Sequence, residues 1–165
     1  MQQKSLWQTL FDGLDKVLKF LVIVGNGLML LIVFGQVITR YVFNYTPYFG
    51  EELARYLFVW VVFLALPLVA KSGGHMAIET LTSHVHGATL KFLNILADIF
   101  TIIFLLIMVV CGVQMVMRTS YQTSPAMMIP MSWVYCVIPF GCAVMLLYVV
   151  INLVNVIKTP AGEMK

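Results

Sequence analysis

The chain has 165 residues, of which 61% are hydrophobic and 10% charged, with a formal net charge of +3. A soluble domain is usually about 45–50% apolar and about 25% charged. This composition therefore excludes a soluble globule, and the high apolar content with a low net charge excludes a disordered chain. The charges are clustered, which leaves charge-free runs at 20–39, 56–70, 99–117 and 119–157. These runs indicate an integral membrane protein.

Chain length limits the architecture. A membrane-crossing helix needs about 20 residues at 1.5 Å rise each, so four helices with short connections use most of the chain. We therefore predict an all-α integral membrane protein with one membrane domain over residues 1–165 and no soluble domain. A transmembrane β-barrel is excluded because the apolar runs are long and do not alternate.

Residues 1–19 carry charges of both signs, and their apolar side chains recur at helical spacing. The recurring residues are Trp7, Leu10, Phe11, Leu14, Val17, Leu18 and Leu21. This pattern predicts an amphipathic helix at the membrane surface that leads into the first span. A cleaved signal peptide fits less well, because the following apolar run is too long and lacks a small-x-small cleavage site.

The first span is predicted at about residues 20–40. Asn26, Gln36 and Arg40 fall within an arc of roughly 80° on a helix with 100° per residue. Polar side chains inside a bilayer usually face another protein helix rather than lipid. This face could pack against the chain's other helices or against a partner, and the sequence leaves both open.

The second span is predicted at about residues 47–71, because the charge-free run alone is too short to cross. Thr46 and Pro47 supply a helix cap and a first helical residue. The first turns of such a helix carry Glu51, Glu52 and Arg55.

The spacings of these charges, four and three residues, let either carboxylate meet Arg55 on one helix face. Carboxylates also suit the positive end of the helix dipole. We expect the charges to lie at the membrane surface or to be paired, since a charge at the bilayer centre costs roughly 2.5–3.5 kcal/mol.

The connection 71–91 contains a turn at Gly73, Gly74 and His75. The third span is predicted at about 92–117, and Asp98 lies close to its start. An intramembrane carboxylate is a candidate functional group. We favour the simpler interpretation that Asp98 reaches back to the cytoplasmic interface.

The fourth span is predicted at about 131–157, after a loop interrupted by prolines. Trp133 and Tyr135 are predicted interfacial anchors, and Pro139 a kink. Three arginines lie on the same side of the membrane as this loop, and seven lysines lie on the opposite side. The imbalance predicts that both termini are cytoplasmic.

The sequence argues against an enzyme. It has no nucleotide-binding fingerprint, phosphate-binding glycine loop or zinc-protease pattern, and its cysteines lie in spans without Cys-x-x-Cys spacing. The three histidines lie in the 71–91 connection, so paired axial ligands for a membrane haem are missing. We expect no cofactor or metal in this chain, no nucleic acid partner, and membrane lipids as its surroundings.

Several short motifs together resemble one family, the small membrane subunit of tripartite ATP-independent periplasmic (TRAP) transporters. The motifs are Arg40-Tyr41-Val42-Phe43-Asn44, Glu51-Glu52-Leu53-Ala54-Arg55, Lys71-Ser72-Gly73-Gly74-His75-Met76, Ser124-Pro125-Ala126 and Ile129-Pro130. The resemblance covers nearly the whole chain and is strongest over 36–81. One departure is Ala65-Leu66-Pro67, where the family more often has a glycine-containing segment.

The resemblance implies a subunit of a bacterial inner membrane transporter. Its partners would be a separate large membrane subunit, which moves substrate by an elevator mechanism, and a periplasmic binding protein that delivers an organic acid. A sodium gradient would drive uptake, with the sodium coupling in the large subunit. The small subunit would brace the scaffold of the large one.

We expect Arg40, Glu51, Glu52 and Arg55 to form a charged cluster at the periplasmic membrane surface. The cluster would contact a partner, or it would be an internal ion pair that sets the depth of the second helix. Two other functions remain open at this point: a membrane anchor of a respiratory enzyme, and a small self-assembling four-helix exporter whose essential carboxylate would be Asp98.

Overall fold

A computed structural model describes residues 6–45, 47–71 and 88–158 of the chain. Its helices are α1 (Leu6–Phe43), α2 (Tyr48–Lys71), α3 (Ala88–Arg118), α4 (Met131–Tyr135) and α5 (Val137–Lys158). Four helical segments, with α4 and α5 forming the fourth, are long and apolar enough to cross a membrane. The prediction of an all-α protein with four spans is confirmed.

Some predicted features lie outside the described residues. These are the helix cap at Thr46 and the turn at Gly73, Gly74 and His75. The cytoplasmic location of the termini stays a prediction.

Helix α1 has 38 residues and continues without interruption from the predicted interfacial segment into the first span. At 1.5 Å per residue it is about 57 Å long, whereas a bilayer's hydrocarbon core is about 30 Å thick. Leu18, from the predicted interfacial segment, is 2% exposed and packs in the core. That segment therefore contributes to the bundle, and its position at the membrane surface stays a prediction.

The long helices pack in a row in the order α1, α2, α5, α3. One core cluster joins α1, α2 and α5 through residues such as Leu18, Leu64 and Tyr148, and a second joins α3 and α5 through Leu105 and Cys142. In the most apolar stretch of α1, 6% of residues are buried, compared with 39% in the fourth span. The fourth span is therefore the best-packed helix of the row, and the edge helices leave most of their apolar surface uncovered.

Two prolines affect the central helices differently. The fourth span is interrupted at Cys136, which follows from Pro139: this residue has no N–H and its ring crowds the carbonyl of Tyr135, four residues earlier. The predicted kink thus corresponds to the break between α4 and α5. Pro67 lies inside α2 without ending it, and the carbonyl of Phe63 loses its helical donor.

Gly141 of α5 packs directly on this freed Phe63 carbonyl. A Cβ atom at Gly141 would overlap both the carbonyl oxygen and the carbonyl carbon of Phe63. On the other side of α5, a Cβ at Gly112 of α3 would lie 3.1 Å from Cδ of Pro139. Small residues let membrane helices approach closely, so these glycines set the spacing of α2, α5 and α3.

We predict that Gly141→Ala destabilises the protein by about 1–3 kcal/mol, the usual cost of adding a methyl group to a tightly packed core. Gly27→Ala is the matched control, because nothing lies within 4 Å of a Cβ at Gly27 and alanine favours a helix over glycine. Thermal unfolding of the purified protein in detergent measures both. Equal midpoints for the two variants would show that the contact with Phe63 does not limit packing.

Candidate functional site

Glu52, in the first turns of α2, holds the loop that connects α3 and α4. One carboxylate oxygen accepts a hydrogen bond from the hydroxyl of Tyr56 at 2.6 Å. The other accepts two, from the backbone N–H groups of Ala126 at 3.0 Å and Met127 at 2.9 Å. Hydrogen bonds to a charged acceptor are about twice as strong as neutral ones, so Glu52 fastens this loop to α2.

The loop also has internal structure. Thr123 and Pro130 form an isolated antiparallel bridge, and the N–H of Ser124 donates to the carbonyl of Ile129 at 2.9 Å. Ser124 is 1% exposed, and its hydroxyl oxygen accepts a hydrogen bond from the N–H of Met127 at 3.2 Å. The segment that the sequence marked only by its prolines is therefore a compact hairpin-like turn.

The expected ion pairs with Arg55 are not formed. Glu52 faces the loop, while Glu51 and Arg55 are exposed and form no ion pair with each other or with another described residue. Arg40 is likewise exposed. The helix spacing allowed the pairing, but three hydrogen-bond donors of the loop and of Tyr56 take the carboxylate of Glu52 instead.

An open groove of about 590 Å³ lies between the start of α2 and the loop. The residues around it include Tyr45, Tyr48, Phe49, Glu51, Glu52, Arg55, Pro125 and Ala126. The structure thus brings three of the four predicted charged residues to one groove and leaves Arg40 outside its lining. Aromatic walls with an exposed charge of each sign are suited to holding side chains of another protein.

The polar residues of the first span have different surroundings. Gln36 packs against Gly50 of α2, and its amide nitrogen is buried without a hydrogen bond to any described residue. Asn26 is exposed and donates to the carbonyl of Val22 in its own helix at 3.1 Å. Asn26 thus forms no hydrogen bond to another described helix, and a contact of this face with a partner stays a prediction.

Asp98 is buried between two neighbouring helices. It is 2% exposed, and one of its carboxylate oxygens accepts a hydrogen bond from Nδ2 of Asn152 at 3.1 Å. Its side chain therefore lies between α3 and α5, and its depth relative to the cytoplasmic interface stays a prediction. The contact joins two neighbouring helices of the row, as polar groups inside membrane bundles commonly do.

A charged cluster that the sequence analysis missed joins α1, α2 and α5. The hydroxyl of Tyr148 donates to one carboxylate oxygen of Asp15 at 2.5 Å, and the ammonium of Lys71 donates to the other. Lys71 also lies 3.3 Å from a carboxylate oxygen of Asp12. Asp15 is 5% and Tyr148 8% exposed, so this is a largely buried contact.

One sequence signal pointed to Asp15. It lies four residues after Phe11 and three before Leu18, so it adjoins the apolar face of the predicted amphipathic helix. A carboxylate in that position needs a partner if the face packs on the bundle. The partners themselves are 56 and 133 residues away in sequence, which is beyond what spacing rules can connect.

The ends of α3 and α5 are also joined. Nζ of Lys91 donates to the carbonyl of Ile157 at 2.9 Å, which satisfies one of the carbonyls left free in the last turn of α5. Among residues 6–45, 47–71 and 88–158, no three His, Cys, Asp or Glu side chains come together as metal ligands.

We predict that Lys71→Met destabilises the protein by about 1–3 kcal/mol, because it leaves the Asp15 carboxylate buried without its cation. The cost is smaller than for a fully buried pair, since Lys71 is partly exposed. Lys19→Met, which removes an exposed lysine of α1, is the control. In a double-mutant cycle, Asp15→Asn should recover part of the loss caused by Lys71→Met. Strictly additive unfolding energies would contradict a direct interaction.

Comparison with known proteins places the chain in a family. The model of the family described as tripartite ATP-independent periplasmic transporters, DctQ component, matches residues 29–159. Two proteins of Haemophilus influenzae (strain ATCC 51907 / DSM 11121 / KW20 / Rd), both named as TRAP transporter small permease proteins, are each 30% identical to the chain. The first match covers 74% of this chain and 74% of the relative, and the second covers 59% and 61%.

A third relative is larger. The sialic acid TRAP transporter permease protein SiaT of Haemophilus influenzae (strain 86-028NP) is 24% identical over 118 residues, which are 69% of this chain and 19% of that protein. The family match covers most of the chain, including all the residues named around the groove. The chain therefore belongs to the DctQ-component family of TRAP transporters, as a small permease subunit.

Proposed function

We propose that the chain braces the scaffold of a separate, large elevator-type subunit that takes up an organic acid with sodium. The family match over residues 29–159 is the observation that carries this proposal. The sodium coupling and the substrate site belong to the large subunit in this scheme, and a periplasmic binding protein delivers the substrate. The complex lies in a bacterial inner membrane, with both termini of this chain in the cytoplasm.

The architecture suits a static brace. Polar contacts tie the helices together at both ends of α2, through Glu52 near its start and through Lys71 with Asp15 at its last residue. The edge helices leave broad apolar surfaces uncovered. These surfaces supply an anchored perimeter in the lipid and a face against which a large subunit can pack.

The match to SiaT supports a large membrane partner. It covers 19% of that permease protein, which fits an arrangement in which a small-subunit region is one part of a longer permease. SiaT is named for sialic acid, and we include this acid among the classes to test for the present chain. Dicarboxylates, keto acids and sugar acids are the others, because the partners would set selectivity.

We further propose that the groove at the start of α2 faces the periplasm and receives a side chain of the large subunit or of the binding protein. Glu51 and Arg55 are exposed there without an ion pair to a described residue, so both charges are available. A charged hydrogen bond that forms across an interface contributes about 1.5–3 kcal/mol.

The test uses the chain coexpressed with the large subunit and binding protein encoded beside it. We expect the complex in proteoliposomes to take up one or more of succinate, pyruvate, gluconate and N-acetylneuraminate when an inward sodium gradient is imposed. Complexes that lack this chain should assemble poorly or transport slowly. Full, stable uptake by the large subunit and binding protein alone would overturn the bracing role.

We predict that Glu51→Gln with Arg55→Gln raises the binding-protein concentration for half-maximal uptake roughly tenfold, while complex recovery stays normal. If the groove instead receives the large subunit, recovery of the complex falls. Arg118→Gln is the control, since Arg118 is exposed at the same end but lies outside the groove. Normal recovery and normal half-saturation in the double variant would rule out both forms of the docking role.

A further inference from the structure

We propose that the outer face of α1 binds an anionic phospholipid of the cytoplasmic leaflet. Its phosphate would rest on Lys16 and Lys19, and one acyl chain would fill a depression at Gly27. The choice of leaflet rests on the cytoplasmic N-terminus proposed above. The ligand would cover part of an edge helix that the bundle itself leaves exposed.

The cations of this site are not used inside the bundle. The structure describes the side chains of four lysines, and two of them bind their own chain. Lys71 binds Asp15, and Lys91 donates to a backbone carbonyl of α5. Lys16 and Lys19 are exposed and form no hydrogen bond or ion pair with a described residue.

The carboxylates closest in sequence do not neutralise these two lysines. Asp12 lies one helical turn before Lys16, but its carboxylate oxygen lies 3.3 Å from Nζ of Lys71. Asp15 binds the same ammonium group. Both carboxylates of this segment thus turn to α2, which leaves the positive charge on the outer face. Basic side chains beside the cytoplasmic leaflet attract its anionic lipids.

An apolar stripe continues from the lysines along the same face of α1. Ile23, Gly27 and Leu30 follow Lys16 and Lys19 at intervals of three or four residues, within an arc of about 80°. Ile23 is 70% and Leu30 69% exposed. The face therefore presents positive charge first and apolar surface after it, which is the order of headgroup and acyl chain in a phospholipid.

The stripe contains an open depression of about 400 Å³. Nothing lies within 4 Å of a Cβ atom built at Gly27. The amide of Asn26 is engaged with its own helix, and the other residues of the lining are glycine or apolar. The lining includes Asn26, Gly27, Met29, Leu30 and Val33.

The depth of the depression matches one leaflet. Gly27 follows Lys19 by eight residues, or about 12 Å along the helix. The hydrocarbon of one leaflet is about 15 Å deep, half of the bilayer core. An acyl chain whose headgroup lies at the two lysines therefore reaches the depression with its last carbons.

The first experiment titrates the full chain in detergent with dioleoylphosphatidylglycerol and, as a neutral comparison, dioleoylphosphatidylcholine, followed by native mass spectrometry. We expect saturable binding that prefers phosphatidylglycerol. Lys16→Gln with Lys19→Gln should weaken it roughly tenfold or more. Arg40→Gln with Arg118→Gln is the control, because it removes two exposed cations from the opposite end. Equal affinity for both lipids, or unchanged affinity in the double lysine variant, would overturn the proposal.

The second experiment tests the acyl chain. Gly27→Leu fills the depression, and we expect it to weaken phosphatidylglycerol binding several-fold while the unfolding midpoint without lipid stays normal. Gly35→Leu is the matched control: a Cβ there also meets nothing within 4 Å, and Gly35 lies about 12 Å deeper. Phosphatidylglycerol with a diazirine at the end of its acyl chain should label residues 23–33. Unchanged binding in Gly27→Leu, or labelling only elsewhere, would contradict the site.

The third experiment repeats the labelling in the complex with the large subunit. If that subunit covers this face instead, labelling of α1 disappears in the complex and Gly27→Leu lowers its recovery, which would overturn the proposal. The orientation is tested separately by treating Lys16→Cys in intact cells with a membrane-impermeant maleimide, with the unmodified chain for comparison. Reaction from the periplasm would refute the leaflet together with the proposed topology, whereas a failure of lipid binding in detergent refutes the site alone.

Discussion

The row of helices depends on the contact that Asp15 makes with Lys71 and Tyr148. Helix α1 lies at the edge and packs mainly on α2, and only 6% of the residues in its most apolar stretch are buried. A carboxylate that is 5% exposed tolerates little displacement, because separation from its cation leaves a buried charge without a partner. The cluster therefore sets the position of α1 relative to α2 and α5 together, which apolar packing alone specifies weakly.

Along the middle of the helices, close backbone packing holds α2, α5 and α3 together. Pro67 frees the carbonyl of Phe63, and Gly141 brings the backbone of α5 against it. This close approach shields the carbonyl and places α5 at the centre of the row, where Gly112 then packs on Pro139. In a bilayer, apolar contact with a helix gains little over contact with lipid, so close backbone packing of this kind supplies specificity that a leucine-rich interface would lack.

The sequence was sufficient to predict the spans, because hydrophobic runs and their flanking charges follow directly from bilayer thickness. It was also sufficient to place Glu51, Glu52 and Arg55 at the start of α2. It could not show which partner each charge takes. Helix spacing favoured Arg55 as the partner of Glu52, yet the carboxylate accepts hydrogen bonds from backbone N–H groups of the distant loop. The same limit applies to Asp15 and Asp98, whose partners depend on which helices become neighbours.

The carboxylates in this bundle divide according to what they contact. Asp15, Glu52 and Asp98 each bind another helix or loop of the same chain, so each helps to hold the bundle together. Glu51 is exposed beside Glu52 and forms no ion pair with a described residue. In a chain with 10% charged residues, this exposed carboxylate at a groove is the reason for proposing an external contact there. Two adjacent glutamates thus differ in their surroundings, because Glu52 is bound to the loop and Glu51 is exposed at the groove.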